Sequence, residues 1–405
     1  MTNQTTTNQT ATLVPPTGLV TTNSNGKTLF ALFTQDWITL LAYIVQTLAL
    51  PITQGGFTDK YGTFSDESEI ENVITAMKDL NTLSATFGDP ATLSHQLASD
   101  PSILQTDTAP TEIYTHIVWF ATKLHEVAST HNQTLDSIVE RLKPSVCGTQ
   151  QQCASVFRQI LTGKDGLQST AEDMLTKANA LVQVMAQFNE SLEPSAKAMA
   201  KYTTESSQFY QYVENAISVD SQNINTYTAT AYTAHQKWID DTIAAVSSSI
   251  SVLVLSCGLA WPVSVGLGIG LGVAAGNARN AYEQVETLLK AANTDDQKKM
   301  HLKHDLQALN DNLIPSSNAA KNLENKLIDI AEVLSTISDH IAYIADNFTD
   351  EKLGDPSWVE QVLEVHEATL DWQTIAKATD DYTTNSLVSF STQVFGTKLP
   401  PVQSS

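Results

Sequence analysis

Residues 250–278, "ISVLVLSCGLAWPVSVGLGIGLGVAAGNA", hold no charged side chain, although the 405-residue chain around them carries a formal net charge of −22. A run of this kind must be hidden from water or given to lipid, because exposed apolar area is unfavourable in proportion to its extent. The fold is therefore constrained first by where the run sits relative to the elements on either side of it.

Those elements read as helices. Apolar residues recur at helical spacing at Ile113, Ile117, Phe120, Leu124, Val127, Ile138 and Leu142, until "KPSVCG" breaks the pattern at Pro144. The pattern resumes at Leu167 and passes through Leu181, Met185, Phe188, Leu192, Phe209 and Val213 to Trp238. One helix from about residue 170 to 249, kinked at Pro194, would be roughly 120 Å long. Residues 278–293 again read as helix. From Ala320 a heptad runs through Leu323, Leu327, Ile330, Leu334, Ile337, Ile341 and Ile344 to Phe348, the pattern of a coiled-coil seam. A last helix is expected over 357–384, with Trp358, Val362, Val365 and Trp372 on its apolar face.

Near the start, Thr34 is placed to cap a helix that buries Trp37, Leu40, Leu41, Ile44 and Leu48 and stops at Pro51. "SDESEIE" (65–71) has the acids of a helix start. No run of alternating strands around Asn-Gly or Asp-Gly turns stands out. The expected fold is all-α, an elongated bundle of about five long antiparallel helices (a stalk) with a hydrophobic head or tongue at one end. The expected divisions are a disordered polar tail over 1–27, a discontinuous stalk over 28–249 and 278–395, a head over 250–277, and a tail over 396–405.

The uncharged run is long enough to span a bilayer once. Pro262 near its middle, glycines at 266, 268, 270, 272 and 276, and the scarcity of flanking basic residues argue against a permanent anchor. A buried core helix would leave its place at a chain reversal unexplained. "GLGIGLG" has Leu271 where a dinucleotide fingerprint needs a different register, and it lacks a βαβ setting. The reading that accounts for composition and position together is a membrane-inserting hairpin turning at Pro262. Its apolar anchors are Val252, Leu253, Leu255, Leu259, Trp261, Val263, Val265, Leu267, Ile269 and Leu271.

With 44 acidic against 22 basic residues, the chain repels nucleic acid and anionic lipid, so membrane contact must come from apolar burial. The N-terminal stretch has neither the basic nor the apolar region of a secretory signal, and release by another route is expected. Cys147 and Cys153 close "CGTQQQC" and suit either a local disulfide or a reduced pair, and Cys257 reads as a small buried hydrophobe. His301 and His304 in "HLKH" share a helix face but have no further ligand nearby in sequence. His125 and His131 are six apart rather than the four of a zinc helix, and His131 falls in an apolar register. No nucleophile elbow, phosphate loop or calcium loop is found. No catalytic role, cofactor or metal is expected.

Two stretches resemble a known family. "LFTQDWITLLAYIVQTLALPIT", through Phe33, Thr34, Asp36, Tyr43, Leu48, Leu50 and Pro51, resembles the opening helix of component A of the alpha-xenorhabdolysin-type binary toxins. "GVAAGNARNAYEQVETLLKAAN", through Asn277, Ala278 and Arg279, resembles that family's exit from an apolar head. The order of elements is similar to the wider cytolysin A superfamily of α-helical pore-forming toxins. The resemblance implies a secreted or released soluble protein with a five-helix stalk. Such a protein meets a target-cell membrane through its head and assembles, with a second component of the B type, into an oligomeric pore. The strong acidity and the "CGTQQQC" loop depart from the family pattern. The competing reading is a structural coiled-coil protein, membrane-anchored or soluble, without lytic activity.

Overall fold

The computed structural model describes residues 12–22, 26–217 and 294–385. The head expected over 250–277, the helix expected over 278–293 and the C-terminal tail lie outside these residues.

The described chain opens with a short hairpin, β1 (Val20–Thr22) and β2 (Thr28–Phe30), paired antiparallel with Val20 opposite Phe30. Helices α1 (Gln35–Leu48), α2 (Gln54–Tyr61), α3 (Glu67–Phe87) and α4 (Pro90–Ser99) follow. A 3-10 turn at Pro101–Leu104 leads to α5 (Ile113–Arg141), α6 (Pro144–Cys147), α7 (Gln150–Thr162), α8 (Leu167–Thr203) and α9 (Gln208–Asn215). After residues 218–293 come α10 (Thr294–Asn347), α11 (Asp350–Leu353), α12 (Pro356–Val362) and α13 (Val365–Asn385). The five long helices among the described residues are α3, α5, α8, α10 and α13.

Helix α10, about 80 Å long at 1.5 Å per residue, is the axis. Every heptad position from Ala320 to Ile344 is buried, and the seam packs chiefly on α8 and α1. Two contacts fix the antiparallel register of α8 on α10. Asn189 donates to the Ala320 carbonyl (3.1 Å), and Ser338 donates to Glu172 (3.1 Å). Helices α5 and α13 form the second large antiparallel pair, tied by Asn132 Nδ2 to the Thr369 carbonyl (2.8 Å) and His125 Nδ1 to the Ala376 carbonyl (2.9 Å). Helix α1 starts where Thr34 Oγ1 accepts from the Trp37 N–H, and the Trp37 ring stacks on Tyr114 at 5.6 Å. Asp66 caps α3, with Glu67 and Glu69 in its first turn. Pro194 and Pro315 sit inside α8 and α10 without ending them. Both are exposed, so the carbonyls their missing N–H groups leave unpaired face water.

Three expectations are corrected. The helix over 170–249 stops at Thr203, because Ser207 Oγ donates to the Tyr202 carbonyl and accepts from the Tyr210 N–H, closing one helix and capping the next. The helix over 357–384 is two helices, broken where Glu364 takes φ 53°. The tail over 1–27 is built into the body from residue 12: Leu13 and Leu19 are buried and the Leu13 N–H donates to the Leu363 carbonyl at 3.0 Å. The hairpin escaped the strand search because each strand has only three residues, although Asn25-Gly26 stands between them.

At the end of the bundle opposite the α9–α10 connection, Arg158 of α7 donates to the Ala345 and Phe348 carbonyls and pairs with Asp350, covering the last turn of α10. The "CGTQQQC" loop lies beside it, with Cys147 and Cys153 joined as a disulfide across a Cα separation of 5.0 Å and Thr149 and Gln152 forming a capping box. Alkylation of the denatured protein is expected to label one cysteine without reductant and three with it; three labels in both would show the pair reduced. Leu327→Ala, at a fully buried seam position, should lower unfolding free energy by about 2–5 kcal/mol in urea titration.

Candidate functional site

The sequence assigns membrane contact to Val252, Leu253, Leu255, Leu259, Trp261, Pro262, Val263, Val265, Leu267, Ile269 and Leu271, all outside the described residues. The structure does place the two points between which that segment runs. Helix α9 packs against α10, and the Glu214 carboxylate, near the end of α9, meets Lys303 of α10 at 2.7 Å. The Lys303 ammonium also lies 5.7 Å from the Tyr210 ring. The chain therefore leaves the described body at Ile217 and re-enters it at Thr294 at the same end of the bundle.

A collar of α2, the α2–α3 turn, α9 and the first turns of α10 holds that end. The Tyr212 hydroxyl accepts from the backbone N–H groups of Ser65 (2.8 Å) and Asp66 (2.9 Å), supplying part of the N-terminal capping of α3. Phe57, Tyr61, Phe64 and Tyr212 form a chain of ring contacts from α2 to α9. Gly62 turns the chain at φ 85°, and a Cβ there would lie 2.7 Å from Asp295 Oδ1 of α10, so both the conformation and the close approach require glycine.

Beneath the collar is an ion pair between a partly exposed ammonium and a buried carboxylate. Lys60 Nζ lies 3.1 Å from Asp305 Oδ2, which also accepts from the Tyr61 hydroxyl at 2.7 Å. Burial by itself would raise the Asp305 carboxyl, but the Lys60 charge, His304 and the Tyr61 hydroxyl outweigh it and hold the group well below the ordinary carboxylate range. His301 is pushed down to about 4, mainly by burial. The "HLKH" pair is thus part of a polar cluster around Asp305, with His304 Nδ1 3.9 Å from Asp305 Oδ1. Among the described residues no group of three or more His, Cys, Asp or Glu side chains is arranged to hold a metal. His125 and His131 do not converge on one ligand, since His125 bonds the Ala376 carbonyl while His131 Nε2 bonds Thr170 Oγ1 at 2.7 Å. The sequence carries no signal for the Lys60–Asp305 pair, whose members are 245 positions apart and have no periodic pattern in common.

No protein-family model matches the sequence, and no curated protein matches it. Among solved structures the fold is similar to the Bacillus cereus HblL1 toxin component, at 12% identity over 89% of this chain and 96% of that one, with a TM-score of 0.53. It is also similar to soluble SmhA of the tripartite alpha-pore forming toxin Smh from Serratia marcescens, at 13% identity over 90% and 94% of the two chains, with a TM-score of 0.53. At such identity the likeness to these two toxin components is one of fold. XaxA from Xenorhabdus nematophila, 12% identical over 88% of this chain and 96% of its own, aligns with a TM-score of 0.25, which carries no argument.

Removing the partner of a buried charge leaves that charge uncompensated. Lys60→Met is expected to lower stability by about 3 kcal/mol at pH 7. Because the Asp305 carboxyl is depressed in the folded state, its contribution is present above the ordinary value of 3.8 and lost as pH falls below it. The deficit of the variant should therefore shrink towards pH 3, and Asp305→Asn added to Lys60→Met should restore part of it at pH 7. Denaturant titrations at both pH values give the comparison, and a deficit independent of pH would contradict the assignment.

Proposed function

We propose that the chain is one component of a multi-component α-helical pore-forming toxin. It is stored as a helical bundle and delivers residues 250–276 to a target membrane, where it oligomerises with a second component. The observation that carries this reading is the shared fold along nine-tenths of the chain. The entry and exit of the uncharged segment at one end of the bundle add to it. Among the described residues no helix is long and apolar enough to cross a membrane, which leaves the uncharged run as the lipid-seeking part.

On this reading the two arms on either side of Pro262, each about a dozen residues, are too short to span a bilayer as separate helices. They embed as a pair, or extend in continuity with the flanking helices. Burial of their side chains supplies roughly 25 cal/mol per Å², and Trp261 suits the membrane interface. A surface with twice as many acidic as basic residues gives no electrostatic help on an anionic bilayer.

The test is dye release from phosphatidylcholine–cholesterol liposomes, with the protein alone and with each candidate partner component. Leu259→Asp and Leu267→Asp should each reduce release at least tenfold while far-UV circular dichroism stays unchanged. Release equal to that of the native chain would remove residues 250–276 from the mechanism. Absence of release by the native chain under every combination would favour a structural coiled-coil role.

A further inference from the structure

Residues 12–22 lie across the bundle as a strap. At its first described residues the Leu13 N–H donates to the Leu363 carbonyl, beside the α12–α13 break at Glu364. Its other end joins the hairpin, whose β2 packs on α13 with Phe30 against Tyr382 at 5.2 Å. Residues 12–15 roof a cavity of about 10 Å³, room for about one water molecule. Two histidines line this cavity, His131 from α5 and His340 from α10, together with Trp372 from α13 and aliphatic side chains such as Leu135 and Ile337.

The Nδ1 atoms of both rings are buried and have no hydrogen-bond partner in the protein. The other nitrogen of His131, Nε2, lies 2.7 Å from the Thr170 hydroxyl, which is also within reach of the Gly166 and Leu167 carbonyls (3.2 and 3.0 Å). A second proton on the ring would place a cation beside the Trp372 ring, 4.4 Å between centroids and 66° between planes, with no anion among the cavity-lining residues.

We propose that the strap is an acid-releasable cover, seated while His131 is neutral and lifted when that ring takes up a proton. The charged and titratable groups around the site do not oppose this. The strap, Leu167 of α8 and Trp372 of α13 contribute none to the cavity, and α10 contributes only His340. On the far side of His131 a larger cleft of about 340 Å³ brings Arg141, Lys164 and Asp165, two cations against one anion. Burial pushes the His131 imidazole from the ordinary 6.5 down to about 3. A depressed imidazole favours the closed strap above the ordinary value, and that preference is lost as pH falls from 6.5 towards 3. Each pH unit in that window shifts the closed-to-open equilibrium about tenfold per proton taken up. Near Leu13 the strap is held by one backbone hydrogen bond and by the buried Leu13 and Pro15 side chains. The proposal does not depend on the pore-forming reading.

Hydrogen exchange of the full chain, read by mass spectrometry and corrected for intrinsic rates, tests it. Protection of residues 12–22 should fall about sixteenfold between pH 6.5 and 5.0, while residues 174–192 of α8 and 320–341 of α10 keep theirs. His131→Gln should keep the strap protected at pH 5.0. Should that variant not fold, His131→Asn and Leu13→Asp serve. The first should abolish the acid response, and the second should leave the strap open at every pH with the helices still protected. Protection of 12–22 that is unchanged down to pH 5.0, or that is lost together with the helices, overturns the proposal.

Discussion

A helix of 54 residues stays ordered in water only if its apolar stripe is covered along most of its length, because propensity by itself gives marginal helices. In this protein α8 and α1 provide that cover for α10. The seam from Ala320 to Ile344 fills the interface, and polar contacts at its edges select a single register. Glu324, buried and paired with Lys321 of its own helix, accepts from Asn189 of α8, so sliding α8 by one turn would remove that donor. That register sets the rest of the body. It puts α9 against the first turns of α10, where Glu214 meets Lys303, and it puts α7 against the last turn, where Arg158 covers the carbonyls. The collar and the Lys60–Asp305 pair depend on the same alignment, since Asp305 reaches α2 only when the seam beyond it is in register.

Elements held by many apolar contacts and elements held by few therefore coexist along one axis. The α8–α10 and α5–α13 pairs are long and densely packed. The strap is attached by the buried Leu13, Pro15 and Leu19, a three-residue strand and the hydrogen bond at Leu13. Local opening free energies in a protein follow such differences, so the strap is the place where a small change in chemistry moves structure without unfolding the bundle. The break at Glu364 supports this arrangement, because the Leu363 carbonyl beside it is the one to which Leu13 donates.

What could be read in the sequence follows the range of the interactions. Leu323, Leu327, Ile330 and Leu334 announce their helix because the signal repeats every three or four positions. Thr34 announces a cap because its acceptor acts on a backbone N–H three residues away. The break after Thr203 was missed because Ser207 competes for the backbone only when the chain bends to meet it, and apolar periodicity runs on through Phe209 and Val213. The strap was missed because Leu13 and Leu19 are isolated apolar residues in a polar stretch, and their burial is decided by α12 and α13, more than 300 residues further on. Lys60 and Asp305 read as ordinary surface charges until α2 and α10 are brought together. The proposed membrane segment is the opposite case. It is legible from composition alone, and the described body adds only that the chain enters and leaves it at one end.

Charge ties these observations together. The chain has nine histidines against a formal net charge of −22, so mild acid cannot make its surface cationic. Acid therefore does not create electrostatic attraction to anionic lipid, and lowering the charge only weakens repulsion at a range screened within about 8–10 Å in physiological salt. Any larger effect of pH must act where a single proton is costly, in a space closed to bulk solvent and without a counter-charge. Of the histidines described, His131 meets that condition most fully, since its free nitrogen faces neither solvent nor a carboxylate, whereas His304 lies beside Asp305. Bulk acidity and local burial thus point the same way. The acidic surface repels like-charged copies of the chain, and the proposed sensitivity to protons is concentrated under the strap.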